Sequence, residues 1–184
     1  MTDQTAIWAT AGLVGGPWLY YRGFRTLRTR QLIANTPTAR VRSMAMGLVE
    51  LNGAVEARST LRAPFSGKPC AYWEVDVAIQ SRRSWRIVHR NQSGNPFYLS
   101  DDTGVALVYP HGAQCNIRFG TEEQAPGLML PPCYAEYMDA QTSVLGRLAR
   151  IGQLRFRERV LEAGQRVYVL GTAMPRSQAH VIAD

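Results

Sequence analysis

Thiol and imidazole groups come first among residues able to do chemistry, and the chain has six: Cys70, Cys115, Cys133, His89, His111 and His180. No two stand at the short spacing that a metal site needs, so neither metal nor cofactor is expected. Scattered thiols without a CxxC pair also argue against a disulfide framework and suit a reducing compartment. The chain has no GxSxG elbow and no HExxH pair, so no catalytic residue is assigned. Ser66-Gly67-Lys68 lacks the glycine spacing of a phosphate loop and reads as a turn.

Four residues mark a candidate ligand or structural site. Cys70 is either part of a metal site assembled from distant residues or, more simply, a small core hydrophobe. Asp102, next to Asp101 and before Thr103-Gly104, could hold a cation, although Asp-Asp-Thr-Gly is ordinary tight-turn chemistry. His111, between Pro110 and Gly112, suits either a ligand site or a satisfied turn. Glu158 falls on the apolar face of its strand, where a carboxylate needs a partner, and an arginine salt bridge is the expected one.

Alternating strands must position these groups. In 47–57 the apolar set is Val49, Leu51, Val55 and Ala57. In 70–79 it is Ala71, Trp73, Val75, Val77 and Ile79, with Glu74 and Asp76 facing outward. Ser81-Arg82-Arg83 is a turn, after which Trp85 and Ile87 continue the apolar face. Arg82, Arg83, Arg86 and Arg90 read as a solvated, charge-protected edge. Residues 96–113 form a second hairpin around the Asp-Asp-Thr-Gly turn. Leu154, Phe156 and Val160 line one face of a strand that turns at 162–165 into 166–174, a third hairpin. Residues 121–132 read as a surface loop, and 132–150 as one helix inserted late in the domain. The class predicted is mainly β, a small barrel or sandwich of hairpins behind an N-terminal transmembrane helix.

Ala6 to Tyr21 carry no charge, with Trp8 at one end and Trp18, Tyr20 and Tyr21 at the other. Sixteen helical residues rise about 24 Å, short of the ~30 Å hydrocarbon core, but aromatic belts and local thinning can absorb the difference. A core helix, an interfacial helix and a signal peptide are the competing readings; a spanning anchor fits the flanks better. Arg22, Arg25, Arg28 and Arg30 follow, on a short basic helix ended by Pro37. The net charge of +7 is local to this collar: six of the 21 basic residues lie between Arg22 and Arg42, and the remaining 15 face 14 acids. Such a collar points to lipid headgroups, not nucleic acid, and places the domain on the cytoplasmic side of a single-pass membrane protein. The expected organisation is an anchor at 1–21, a basic juxtamembrane helix at 22–36, a β-rich domain at 37–174 and a flexible tail at 175–184.

Several blocks occur in order: Thr36-Pro37-Thr38, Gly47-Leu48-Val49-Glu50, Pro69-Cys70, Asp102-Thr103-Gly104, Pro110 with Gly112-Ala113, Glu158, and Val169-Leu170-Gly171. Over Leu32 to Ala173 they resemble the GIDE ("beside a membrane") domain of the MULAN/MAPL-type membrane-anchored E3 ubiquitin ligases. In that family a RING module supports ligase activity, and three cysteines cannot supply its eight zinc ligands. The resemblance therefore implies a prokaryotic-type member lacking the RING. It would be a non-catalytic binding or sensor module facing a ligand, or an unidentified protein or peptide partner, beside the lipid bilayer. A ligase component with its RING in trans and a structural envelope scaffold are the alternatives.

Overall fold

A computed structural model describes residues 16–17, 20–24, 37–140 and 152–175. Among the described residues the chain is mainly β, with eleven strands, a single 3-10 turn at Val41–Ser43 and an α-helix late in the domain. The strands are β1 (Thr38–Ala39), β2 (Gly47–Glu56), β3 (Leu61–Arg62), β4 (Pro69–Cys70), β5 (Tyr72–Ser81) and β6 (Ser84–Gln92). They continue as β7 (Phe97–Ser100), β8 (Val105–Val108), β9 (Thr121–Pro126), β10 (Gln153–Leu161) and β11 (Arg166–Ala173). The helix, α1, is Pro132–Ala140. The described residues form two compact units, one of those up to 39 with 43–51 and 169–175, the other of 40–42 with those from 52 to 168.

In the first unit β1 pairs in parallel with β2 at Thr38↔Glu50 and Ala39↔Leu51. The Thr38 hydroxyl donates to Glu50 Oε1 at 2.8 Å. Residues 20–24 are helical. Tyr20 and Phe24, four residues apart and hence on one helical face, stack with ring centroids 5.9 Å apart. The expected anchor and basic helix fall mostly on residues outside those described. Among the described residues no helix is long and apolar enough to cross a membrane.

The second unit holds the sheet β6-β5-β10-β9, all antiparallel. Its ladder follows from the alternation expected of 70–79: Val75 and Val77 are buried on one face. Leu154 and Phe156 join them from β10. Pro132 starts α1 where a missing N–H costs nothing, and the Pro131 carbonyl accepts from Tyr134 and Ala135. The helix then lays Tyr134 and Met138, one turn apart, on this cluster beside Phe65. Phe65 meets Tyr134, Tyr137 and Phe156 at 4.9, 5.0 and 5.6 Å, an aromatic knot of tilted and edge contacts. The second half of β2 pairs with β7, and β7 with β8. Gly53 is required there, because a Cβ would sit 2.5 Å from the Ser100 carbonyl oxygen.

Three expectations need correction. Glu74 and Asp76 do not face outward into water; they are 3% and 1% exposed. Trp85 and Ile87 do not continue the core face. The β5–β6 register shifts between Val77 and Ala78, so that Val77 faces His89 and Ala78 faces Ile87. Val88 is the extra residue of this bulge, and it packs on the core cluster instead. Residues 121–126 are a strand, not a loop. TEEQAP shows little alternation because only Ala125 is buried, and the pairing with β10 sets its conformation.

Candidate functional site

The sheet β6-β5-β10-β9 is covered on both faces, and its acids sort by face. Glu158 lies on the apolar face, fully buried. The arginines flanking it, Arg157 and Arg159, alternate to the opposite face and cannot reach it. Among the described residues no arginine makes the expected bridge to it, and backbone amides take that place. Phe65 N donates to Oε1 at 2.7 Å and Ser66 N to Oε2 at 3.0 Å. The loop between β3 and β4 is closed by Gly67 N donating to the Ala63 carbonyl, with Gly67 at φ +66°. Glu158 thus pins a loop across 92 or 93 residues of sequence and drives Phe65 into the aromatic cluster.

Cys70 closes the same hairpin, paired with Leu61. It is buried, and its thiol lies 3.8 Å from the Leu61 carbonyl. Burial, then the charges of Glu158 and Glu162, push the thiol up to about 11. At neutral pH it is a protonated core group and a poor nucleophile. Of the four candidates, the fold brings Cys70 and Glu158 together.

Asp102 and His111 belong to the β7–β8 hairpin and its exit. Asp102 makes an exposed 3.1 Å ion pair with Arg40. Its neighbour Asp101 carries the turn. Oδ1 accepts from Thr103 N, the Thr103 hydroxyl and Gly104 N at 2.7, 2.7 and 2.9 Å. Oδ2 accepts from Val41 N at 2.8 Å. These donors hold the Asp101 carboxyl down near 2, the Val41 amide leading. An acid surrounded by N–H and O–H groups is a turn organiser. His111 is exposed in the turn closed by Ala113 N donating to the Pro110 carbonyl. Tyr20 and Tyr21 are exposed at 73% and 68%. Trp8, Trp18, Arg25, Arg28 and Arg30 lie outside the described residues.

The opposite face of the sheet carries a charge network not anticipated from the sequence. Pairing places Arg157 across from Asp76 and Arg159 across from Glu74. Asp76 accepts from Arg90 Nε at 2.7 Å and Arg157 Nη2 at 3.2 Å. Glu74 Oε1 accepts from Arg159 at 3.3 Å. Arg159 also donates to the Cys115 carbonyl. The guanidiniums of Arg157 and Arg159 lie 4.1 and 4.0 Å from the Phe119 ring centroid, so residues 115–119 are fastened over the network. Arg155 stacks on Trp85 at 4.7 Å. Hydrogen bonding to Asp76 raises the Arg90 pKa further. Glu74 fares worse: burial raises its pKa despite its arginines, and its Oε2 is buried without a partner among the described residues. A readable signal existed: acids alternate in Glu74-Val75-Asp76 and bases in Arg155-Phe156-Arg157-Glu158-Arg159. Antiparallel pairing of two such strands forms a ladder of opposite charges.

On the apolar side, His89 approaches the Tyr137 hydroxyl at 3.2 Å, and burial lowers its pKa. It stays neutral near pH 7 and adds no charge beside the core. Among the described residues no group of three or more His, Cys, Asp or Glu converges as a metal site.

Fold and site together define a hairpin-built β domain whose buried charges hold its shape. A family model described as GIDE, E3 ubiquitin ligase, matches residues 72–183, more than half of the chain. The chain belongs to that family. The matched span opens with β5, so the blocks at Thr36-Pro37-Thr38, Gly47–Glu50 and Pro69-Cys70 precede it. No curated protein and no solved structure matches the chain.

Proposed function

We propose that this member of the GIDE family is a non-catalytic binding or sensor module, tethered so that its β domain lies beside the bilayer and meets a protein or peptide partner. The observation that supports it best is the employment of the acids. Glu158 spends both oxygens on backbone amides, and Asp76 spends both on guanidiniums. Groups buried and hydrogen-bonded in this way stabilise a scaffold and are withdrawn from proton exchange with a bound substrate. The uncharged run 6–21 and the arginines after it support the tether, with Trp8, Trp18, Tyr20, Tyr21, Arg22, Arg25, Arg28 and Arg30 at the lipid surface.

Fractionation of the full chain tests the tether. It is expected to stay with membranes through alkaline washing and to require detergent for release; recovery in the soluble fraction without detergent overturns this reading. Incubation with charged conjugating enzyme tests the second half, and no ubiquitin transfer is expected. Transfer by the purified chain alone would refute the non-catalytic role. The family description favours one further reading, a component of a ligase system with its RING on another polypeptide. That reading expects transfer to appear when a RING-bearing partner is added.

A further inference from the structure

Unpaired sheet edges invite other strands, and proteins protect them with charge. Among the described strands longer than two residues that lie wholly in the second unit, the sheet orders leave β6, β8 and β9 with a free edge. Two are guarded. The β5–β6 hairpin carries Arg82, Arg83, Arg86 and Arg90, and β9 carries Glu122 and Glu123. Each of those edges repels a copy of itself, because equal charges would face one another across a two-fold axis. β8 is different. From Gly104 to Pro110 the sequence is GVALVYP, without a charge. Val105, Leu107 and Tyr109 are exposed at 56%, 39% and 40%.

The hydrogen-bond phase of β8 follows from its hairpin. Asp101 N donates to the Gly104 carbonyl. Leu99↔Ala106 and Phe97↔Val108 continue the pairing at intervals of two. Gly104, Ala106 and Val108 therefore turn their N–H and C=O groups toward β7. Val105, Leu107 and Tyr109 turn theirs away. Pro110, which lacks an N–H, falls at a position facing inward and so removes no outward donor.

We infer that β8 is a self-pairing edge through which two copies of this chain join antiparallel, with Leu107 on the two-fold axis. In this register Leu107 exchanges both backbone hydrogen bonds with its own copy, and Val105 pairs with Tyr109 of the other copy. Every cross-strand pair is apolar and none sets like charges together, which fits a second copy better than a strongly charged partner strand. The inference does not rest on the membrane tether or on the absence of catalysis.

The test uses the full chain in mild detergent. Light scattering, corrected for detergent, is expected to give the mass of two chains, falling toward one on dilution. In a Cys115→Ser, Cys133→Ser background, Leu107→Cys is expected to form an inter-chain disulfide under mild oxidation. Paired Cα atoms would stand about 5.5 Å apart, within disulfide reach. Ile87→Cys, exposed on β6, should not cross-link. Leu107→Lys is expected to weaken the dimer at least about tenfold, and mixing it with Leu107→Glu to restore a two-chain species, which also shows that both variants fold. A single chain at every concentration overturns the inference. So does a dimer that survives Leu107→Lys or fails to cross-link at 107. A monomer that co-purifies with another protein's strand seated on β8 also overturns it, and assigns the edge to that partner instead.

Discussion

Removing the Glu158 carboxylate should rank among the most damaging single changes to a charged side chain. It is fully buried, and each oxygen takes one backbone amide, at 2.7 and 3.0 Å. A hydrogen bond to a charged group contributes about 1.5–3 kcal/mol, and an amide stranded in the interior costs about as much. Glu158→Ala strands two such amides and opens space under the Phe65 ring. The expected loss is about 3–5 kcal/mol, a large share of an ordinary stability of about 5–15 kcal/mol. Glu158→Gln keeps one acceptor and turns an NH2 group toward the second amide, so about half that loss is expected. Urea unfolding of the full chain in detergent, followed by far-ultraviolet circular dichroism, gives the stability change. Amide exchange at Phe65 and Ser66 reads the local event. If Glu158→Ala lies within about 1 kcal/mol of the parent, or those amides keep their protection, the clamp does not hold the loop and the reasoning fails.

The charged face should respond unevenly. Asp76→Ala strips partners from Arg90 and Arg157 and should cost about 3–5 kcal/mol, whereas Glu74→Gln should cost under about 1 kcal/mol, since burial already disfavours its charge; equal losses in urea unfolding would contradict the geometry. Asp101 should leave an acid signature. Its pKa falls from 3.8 unfolded to about 2 folded, so its stabilisation is complete above pH 3.8 and is lost as pH drops through about 2. Melting temperatures of Asp101→Asn should therefore lack that acid limb; an unchanged profile would remove Asp101 as the turn's organiser. Thiol reactivity should rank by burial and pKa: at pH 8 a maleimide should modify exposed Cys133 rapidly and leave Cys70, held up near 11, unmodified until the chain is denatured. Rapid labelling of Cys70 in the folded protein would mean that the β3–β4 hairpin opens.

The hairpins were legible because their signals are local. Apolar alternation through 47–57, 70–79 and 154–160 and the turn chemistry at 101–104 and 162–165 all appear as strands and turns. The inward register of Glu158 was readable from the same period of two. The errors arose where a neighbour, not the segment, sets the outcome. β9 has almost no intrinsic pattern and is a strand because β10 pairs with it. Trp85 and Ile87 lie on the other face because Ser81 pairs with Ser84, which sets Trp85 opposite Gln80 and Ile87 opposite Ala78, a register visible only once β5 lies alongside.

Period and composition were enough to establish a mainly β chain, to put Glu158 on the apolar face and to select the turn at Asp101, since each depends on residues a few positions apart. The partner of each buried charge required the folded chain. Glu158 meets amides more than ninety residues away, and Asp76 meets an arginine 81 residues away. Alternation also says only that Glu74 and Asp76 leave the first core. Whether water or a second layer awaits them depends on where 115–119 crosses the sheet, and Phe119 over Arg157 and Arg159 turns an apparent outer face into an interior one.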